Sequence, residues 1–161
     1  MDLEPIGVAD RLSGRVVLRR PVACSVPTAW RAASEADGLS AWLGRHEGPR
    51  LGPGATFTLV HEQQVRSTHT VLEWEPSRLL AMTWDFPDEA PSRVRLSIGR
   101  DTAGTVVTLE HAGLEDAVAY AAGWHVHLDY LAELLRGRPR SFDDFWVDYD
   151  ALRQRYDAEA G

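Results

Sequence analysis

The stretch GTVVTLEHAGLEDAVAYAAGWHVHLDYLAELLRG, residues 104–137, decides the fold, because its hydrophobic period changes once, near Gly113. Before that glycine Val107, Leu109 and His111 take one face while Val106, Thr108 and Glu110 take the other, the period-two pattern of a strand. After it Ala117, Ala121, Trp124, Leu128, Leu131 and Leu135 step by four or three along one apolar stripe, which predicts a helix running to about Arg136. Glu115 and Asp116 put acids at the positive end of the helix dipole, and Gly137 with Pro139 supplies the stop.

Upstream, residues 55–111 alternate repeatedly with turns between the runs, as an antiparallel meander requires. Phe57, Leu59 and His61 share one face of a strand, and Leu80, Met82, Trp84 and Phe86 share a face of another. Val94, Leu96 and Ile98 alternate with Arg93, Arg95 and Ser97, the pattern of a strand with one buried face. Residues 48–54 carry Gly48, Pro49, Gly52, Pro53 and Gly54 and form a turn region. Before it, Pro27 suits the first turn of a short helix around Trp30 and Ala33, and 39–43 make a second helical piece. GRVVLRRPVACS, 14–25, reads as a first strand whose Pro21 marks an edge or bulge. Downstream, Phe142, Phe145, Trp146, Tyr149, Leu152 and Tyr156 recur at helical spacing and predict a second amphipathic helix over 141–158, opened by Ser141 and Asp144.

The chain has 161 residues and a formal charge of −7, a balance that argues against binding nucleic acid or an anionic membrane surface. One domain, 1–161, is expected, with a core over 14–137 and the helix at 141–158 appended. It has no Lys and no Asn, and its two Ile residues are Ile6 and Ile98. A Schiff-base lysine and a lysine phosphate loop are therefore excluded, and the codon bias points to a GC-rich bacterial genome. Cys24 stands alone, the first 13 residues carry no apolar signal core, and no segment approaches membrane-spanning length, so a cytoplasmic protein is expected.

The pieces VPTAWRAASEADGLSAWLG, VLEWEPSRLLAMTW, GTVVTLEHAGL and GWHVHLDYLAELLRG resemble matching segments of START-like (SRPBCC) proteins, in particular the heat-shock ATPase activator homologue family. The resemblance covers residues 14–137. It implies an α+β helix-grip fold: one strand, two short helices, a six-strand antiparallel meander, and a long C-terminal helix around which the curved sheet wraps. It also implies a hydrophobic cavity between sheet and helix. That family includes small-ligand binders, cyclase-like and hydrolase-like enzymes and a co-chaperone domain, so the resemblance does not by itself select a function.

The residues expected to meet a ligand are the aromatic and apolar positions on the inferred inner faces. They are Trp42, Phe57, Leu59, Met82, Trp84, Leu96 and Leu109 from the first two-thirds of the chain, and Trp124, Leu128 and Leu131 from the helix stripe. His111, His125 and His127 join them as polar contacts. His125 and His127 are two apart on a helix, rotated by about 200°, and cannot share one metal ion; of the two, His125 lies nearer the stripe. His111 and His125 are the candidates for proton transfer, with no nucleophile motif beside them. No metal spacing and no cofactor motif is present. The expected function is binding of a small hydrophobic or aromatic molecule by a monomer or homodimer. The alternatives are a cofactor-independent cyclase or hydrolase and a co-chaperone-like interaction domain.

Overall fold

Side-chain alternation is cleanest in the strand Ser92–Asp101, where Ser92, Val94, Leu96 and Ile98 are buried and Arg93 and Arg95 are exposed. Its neighbours extend that pattern into a curved sheet. The computed structural model describes residues 2–160. The elements are β1 (Gly7–Asp10), β2 (Arg15–Val22), α1 (Val26–Ser34), α2 (Ala36–Trp42), β3 (Arg45–Glu47), β4 (Thr56–Val60), β5 (Arg66–Glu75), β6 (Leu79–Trp84), β7 (Ser92–Asp101), β8 (Gly104–Ala112), α3 (Ala117–Leu135) and α4 (Phe145–Glu159). Short 3-10 turns lie at Glu62–Gln64 and Phe142–Asp144. All strands join one antiparallel sheet in the order β1-β2-β8-β7-β6-β5-β4-β3, and α3 lies against it, the helix-grip arrangement.

One strand, β1, goes beyond the expected seven, and the six-strand meander starts earlier than expected. β1 pairs with β2 through a tight approach at Gly7, where a Cβ would lie 1.9 Å from Val17 O, so only glycine fits. β3 precedes the Gly/Pro turn region, so the six-strand meander begins at Arg45 and not after Gly54. Pro21 pairs with Val106 of β8 beyond the end of β1, where its missing N–H leaves no partner strand unsatisfied. In β5 the register shifts between Val71 and Glu73. That bulge explains two adjacent apolar residues: Val71 is buried and Leu72 exposed, and Trp74 then packs edge-on to Trp30 of α1.

Side-chain caps open α1 and α3. Ser25 Oγ accepts from Thr28 N ahead of α1, and Asp116 Oδ1 accepts from Ala119 N ahead of α3. α3 is buried well beyond one stripe: Val118, Ala122, Val126 and Tyr130 are as enclosed as Leu128 and Leu131. The reason is that α4 covers the side of α3 turned away from the sheet, with Phe145, Leu152 and Tyr156 buried and Trp146 and Val147 left exposed.

Candidate functional site

β4 stops at Val60, and the chain reverses at once. Gln63 and Gln64 adopt φ of 57° and 60°, in the left-handed region, and His61 N donates to Val65 O at 2.7 Å. His61 therefore sits just past its strand and not within it, at the edge of a half-open cavity of about 700 Å³. β6 contributes Trp84 from its last position. α3 contributes Tyr120, Gly123, Trp124 and His127 from one face, and Leu43 and Gly44 close the end of α2. The remaining wall comes from the tail, with Phe142, Phe145, Trp146 and Tyr149.

Hydrogen bonds hold these rings on edge. Trp84 Nε1 donates to Tyr120 OH at 3.2 Å, and Tyr120 OH donates to Glu89 Oε1 at 2.6 Å. Burial, together with the Glu89 carboxylate, drives the Tyr120 phenol far above its ordinary range, so it stays a neutral donor. Trp84 and Trp124 meet edge to face with centroids 5.0 Å apart, and the His127 ring lies 4.8 Å from that of Phe145. At the rim Trp146 Nε1 donates to Glu62 Oε2 at 2.8 Å, joining α4 to the turn after β4.

The structure separates the sequence-predicted site residues into groups. Trp84, Trp124 and His127 line the cavity. Trp42, Met82, Leu96 and Leu109 meet around a void of about 10 Å³, and Phe57, Leu59, Leu128 and Leu131 are packed in the core away from the cavity. His111 is buried behind Trp124: Trp124 Nε1 donates to its Nδ1 at 2.9 Å, so the proton is on Nε2, which donates to Ser92 Oγ at 2.7 Å. Its lone pair is occupied, and burial pushes the ring down to about 3.

His125, expected nearer the stripe than His127, faces the opposite side of α3. Its Nδ1 lies 2.9 Å from Tyr156 OH and its Nε2 3.6 Å from Asp129 Oδ2, and Arg20 Nη2 pairs with Asp129 Oδ1 at 2.9 Å. Burial pushes Asp129 up to about 6 and His125 down to about 4. This cluster ties α3 to α4 and β2 and does not reach the cavity. The apolar stripe of α3 marks its sheet side, whereas α4 buries the opposite side as well and takes in His125. His127 instead lies on the α2 and α4 side, where its Nδ1 donates to Trp42 O at 2.8 Å.

His61, Tyr120 and the four tail aromatics belong to the cavity but not to the sequence-predicted set. The signal for the tail is its stripe of large rings at helical spacing, which shows an apolar face but not what that face encloses. Among the described residues no group of three or more His, Cys, Asp or Glu side chains could hold a metal ion, and no helix is long and apolar enough to cross a membrane.

The chain is similar in structure to CalU16 from Micromonospora echinospora, at 25% identity over 89% of this chain and 86% of that one, with a TM-score of 0.75. A protein encoded by gene BPP1335 from Bordetella parapertussis is 30% identical over 95% and 90%, with a TM-score of 0.71. DynU16, from the dynemicin biosynthetic locus, shares the fold at 20% identity over 78% and 49%, with a TM-score of 0.71. No curated protein matches in sequence. The sequence profile described as Activator of Hsp90 ATPase homolog 1-like protein matches residues 23–136, and the chain belongs to that family.

Proposed function

We propose that this protein binds one small, hydrophobic or aromatic molecule in the cavity walled by β4, β6, α3 and α4, and that residues 14–137 and the tail helix act together as one binding unit. The observation that carries the reading is a cavity of about 700 Å³ faced by Trp84, Trp124, Phe145 and Trp146, against a void of only about 10 Å³ among Trp42, Met82, Leu96 and Leu109. Such a space has the size of a ligand site. Covering a few hundred Å² of apolar ligand surface at about 25 cal/mol per Å² gives several kcal/mol before association costs.

Binding is favoured over proton transfer by the state of the histidines. The His111 lone pair is held by Trp124, and burial pushes His61 and His127 down to about 4, which weakens both as bases at neutral pH.

The reading is tested by native mass spectrometry of protein from its own source, together with uptake of the neutral fluorescent probe N-phenyl-1-naphthylamine. A retained small molecule, or saturable probe uptake that Gly123→Phe removes by filling the cavity from α3, is the expected result. No retained mass and no probe uptake overturns it.

A further inference from the structure

His61, Ser67 and His69 form a hydrogen-bonded chain whose proton positions follow from its last member. Thr83 O is a carbonyl and can only accept, so the His69 Nδ1 3.0 Å away carries a proton and donates. Burial holds His69 neutral, at about 4, so its Nε2 is a bare lone pair, and Ser67 OH donates to it at 2.7 Å. Ser67 Oγ must then accept from His61, whose Nε2–H lies 2.7 Å away. The proton of neutral His61 is fixed on Nε2, and Nδ1 is left bare.

Nδ1 of His61 has no hydrogen-bond partner among the described residues and is not enclosed. The space beside it exists because residue 44 is glycine. A Cβ there would lie 3.2 Å from both Nδ1 and Cε1 of His61. His127 repeats the arrangement from the other wall. Its Nδ1 donates to the carbonyl of Trp42 at 2.8 Å, so Nε2 is bare, again without a partner among the described residues and not enclosed. The donors on the aromatic walls are already engaged: Trp84 with Tyr120, Tyr120 with Glu89, Trp124 with His111 and Trp146 with Glu62. Other donor-bearing side chains, Ser40, Gln63 and Tyr149, line the cavity, and Arg45 there is paired with Glu47.

We infer that the cavity selects an uncharged aromatic molecule bearing two hydrogen-bond-donating groups, such as phenolic hydroxyls, which His61 Nδ1 and His127 Nε2 read as fixed acceptors. This deepens the binding reading above and rests on it. An ether or carbonyl oxygen at either nitrogen would set lone pair against lone pair, and burial opposes relieving that by protonating the ring. An anionic ligand would also meet Glu62 and Glu89 at the cavity, where Arg45 is already neutralised by Glu47. A donor aimed at each bare nitrogen gains a hydrogen bond that an isosteric ether cannot make, a preference of about tenfold per site.

The experiment compares naphthalene-2,7-diol with 2,7-dimethoxynaphthalene, each displacing N-phenyl-1-naphthylamine at pH 7. The diol is expected to bind at least tenfold more tightly. His61→Phe and His127→Phe should each reduce the ratio, and the double variant should bring it near one, each affinity being taken relative to the same variant's own affinity for the probe. Nitrogen-15 NMR of the native chain checks the same point without a variant. His61 should be the Nε2–H tautomer and His127 the Nδ1–H tautomer, and their bare-nitrogen resonances should move on adding the diol while those of His111 stay. Equal affinities for the two compounds, or the opposite tautomers, overturn the inference and leave the binding reading standing. Failure of the probe and both naphthalenes to bind overturns the binding reading itself.

Discussion

The two ends of the interface between α3 and the sheet are built from the same kinds of residue and come out differently. At one end Met82, Leu96, Leu109 and Trp42 interlock and leave about 10 Å³. At the other, large rings stand apart around about 700 Å³. The difference lies in what α3 presents. The bulky Trp124 ring meets the first end, with Leu128 and Leu131 fully buried further along the helix, whereas Ala119 and Gly123 face the second and leave it open. Close packing is the default for apolar side chains, so an open space needs small residues on one wall and braced large ones on the other. The hydrogen bonds of Trp84, Trp146 and Tyr120 supply the bracing.

The strongest way to break this comparison is to remove the wall that only the open end has. Truncation after Arg140 deletes the tail rings and strips the cover from α3, which Phe145, Leu152 and Tyr156 provide from within the core. Each such side chain is worth about 1.5–3 kcal/mol of burial, against a total stability of about 5–15 kcal/mol for a domain. We expect the melting temperature to fall by about 10 °C or more, and uptake of N-phenyl-1-naphthylamine to vanish. A truncated chain with unchanged melting and uptake would show that α4 neither supports nor encloses the site.

The packed end was legible in the sequence and the open end was not, for a physical reason. Alternation in Val94, Leu96 and Ile98 and the three-four spacing of Trp124, Leu128 and Leu131 report which side chains face a core, and all of them are buried. Periodicity reports direction and says nothing about whether the opposing wall is close. It could not separate Trp84, which faces the cavity, from Met82 two residues earlier on the same strand face, which faces the small void. His61 continues the alternation of Phe57 and Leu59, and the reversal that takes it out of the strand depends on two glutamines in left-handed conformation, a geometry that those residue types do not advertise. β1 was hidden for the opposite reason, being four residues held by one edge and a glycine contact.

A pH series tests the buried histidines that brace both ends. His69 and His111 are fully buried, and burial pushes them down to about 4 and about 3 from an unfolded value of 6.5. Between those values the unfolded chain binds more protons than the folded one, so stability is complete above pH 6.5 and is lost as pH falls toward 4. These two groups alone give a slope on the order of 3 kcal/mol per pH unit, and His61, His125 and His127, also pushed down to about 4, add to it in the same sense. Asp129, pushed up to about 6, acts in the opposite sense, favouring the fold at lower pH, and as one group it offsets part of that slope. Urea unfolding at pH 7, 6 and 5 should show stability falling at each step. A flat profile would mean that these rings are hydrated and not locked in the core.

The smallest effects sharpen the comparison most, because they differ in sign. Leu128→Trp adds bulk where no volume is free, and overpacking of this kind costs about 1–3 kcal/mol. Leu128 does not line the cavity, so the folded fraction of that variant should take up N-phenyl-1-naphthylamine with its affinity unchanged. Gly123→Ala adds one methyl where the nearest foreign atom, Tyr149 Cε2, would be 4.0 Å away, an ordinary contact. Glycine within a helix costs roughly 0.5–1 kcal/mol relative to alanine, so this variant should be stabilised by about that amount and its affinity for the probe should change little. The two chains are measured side by side by urea unfolding and probe titration. If Leu128→Trp loses probe binding while its stability is retained, the open space extends under the centre of α3. If Gly123→Ala is destabilised, the helix face at the cavity is already closed by Tyr149, and the glycine is there for contact and not for room.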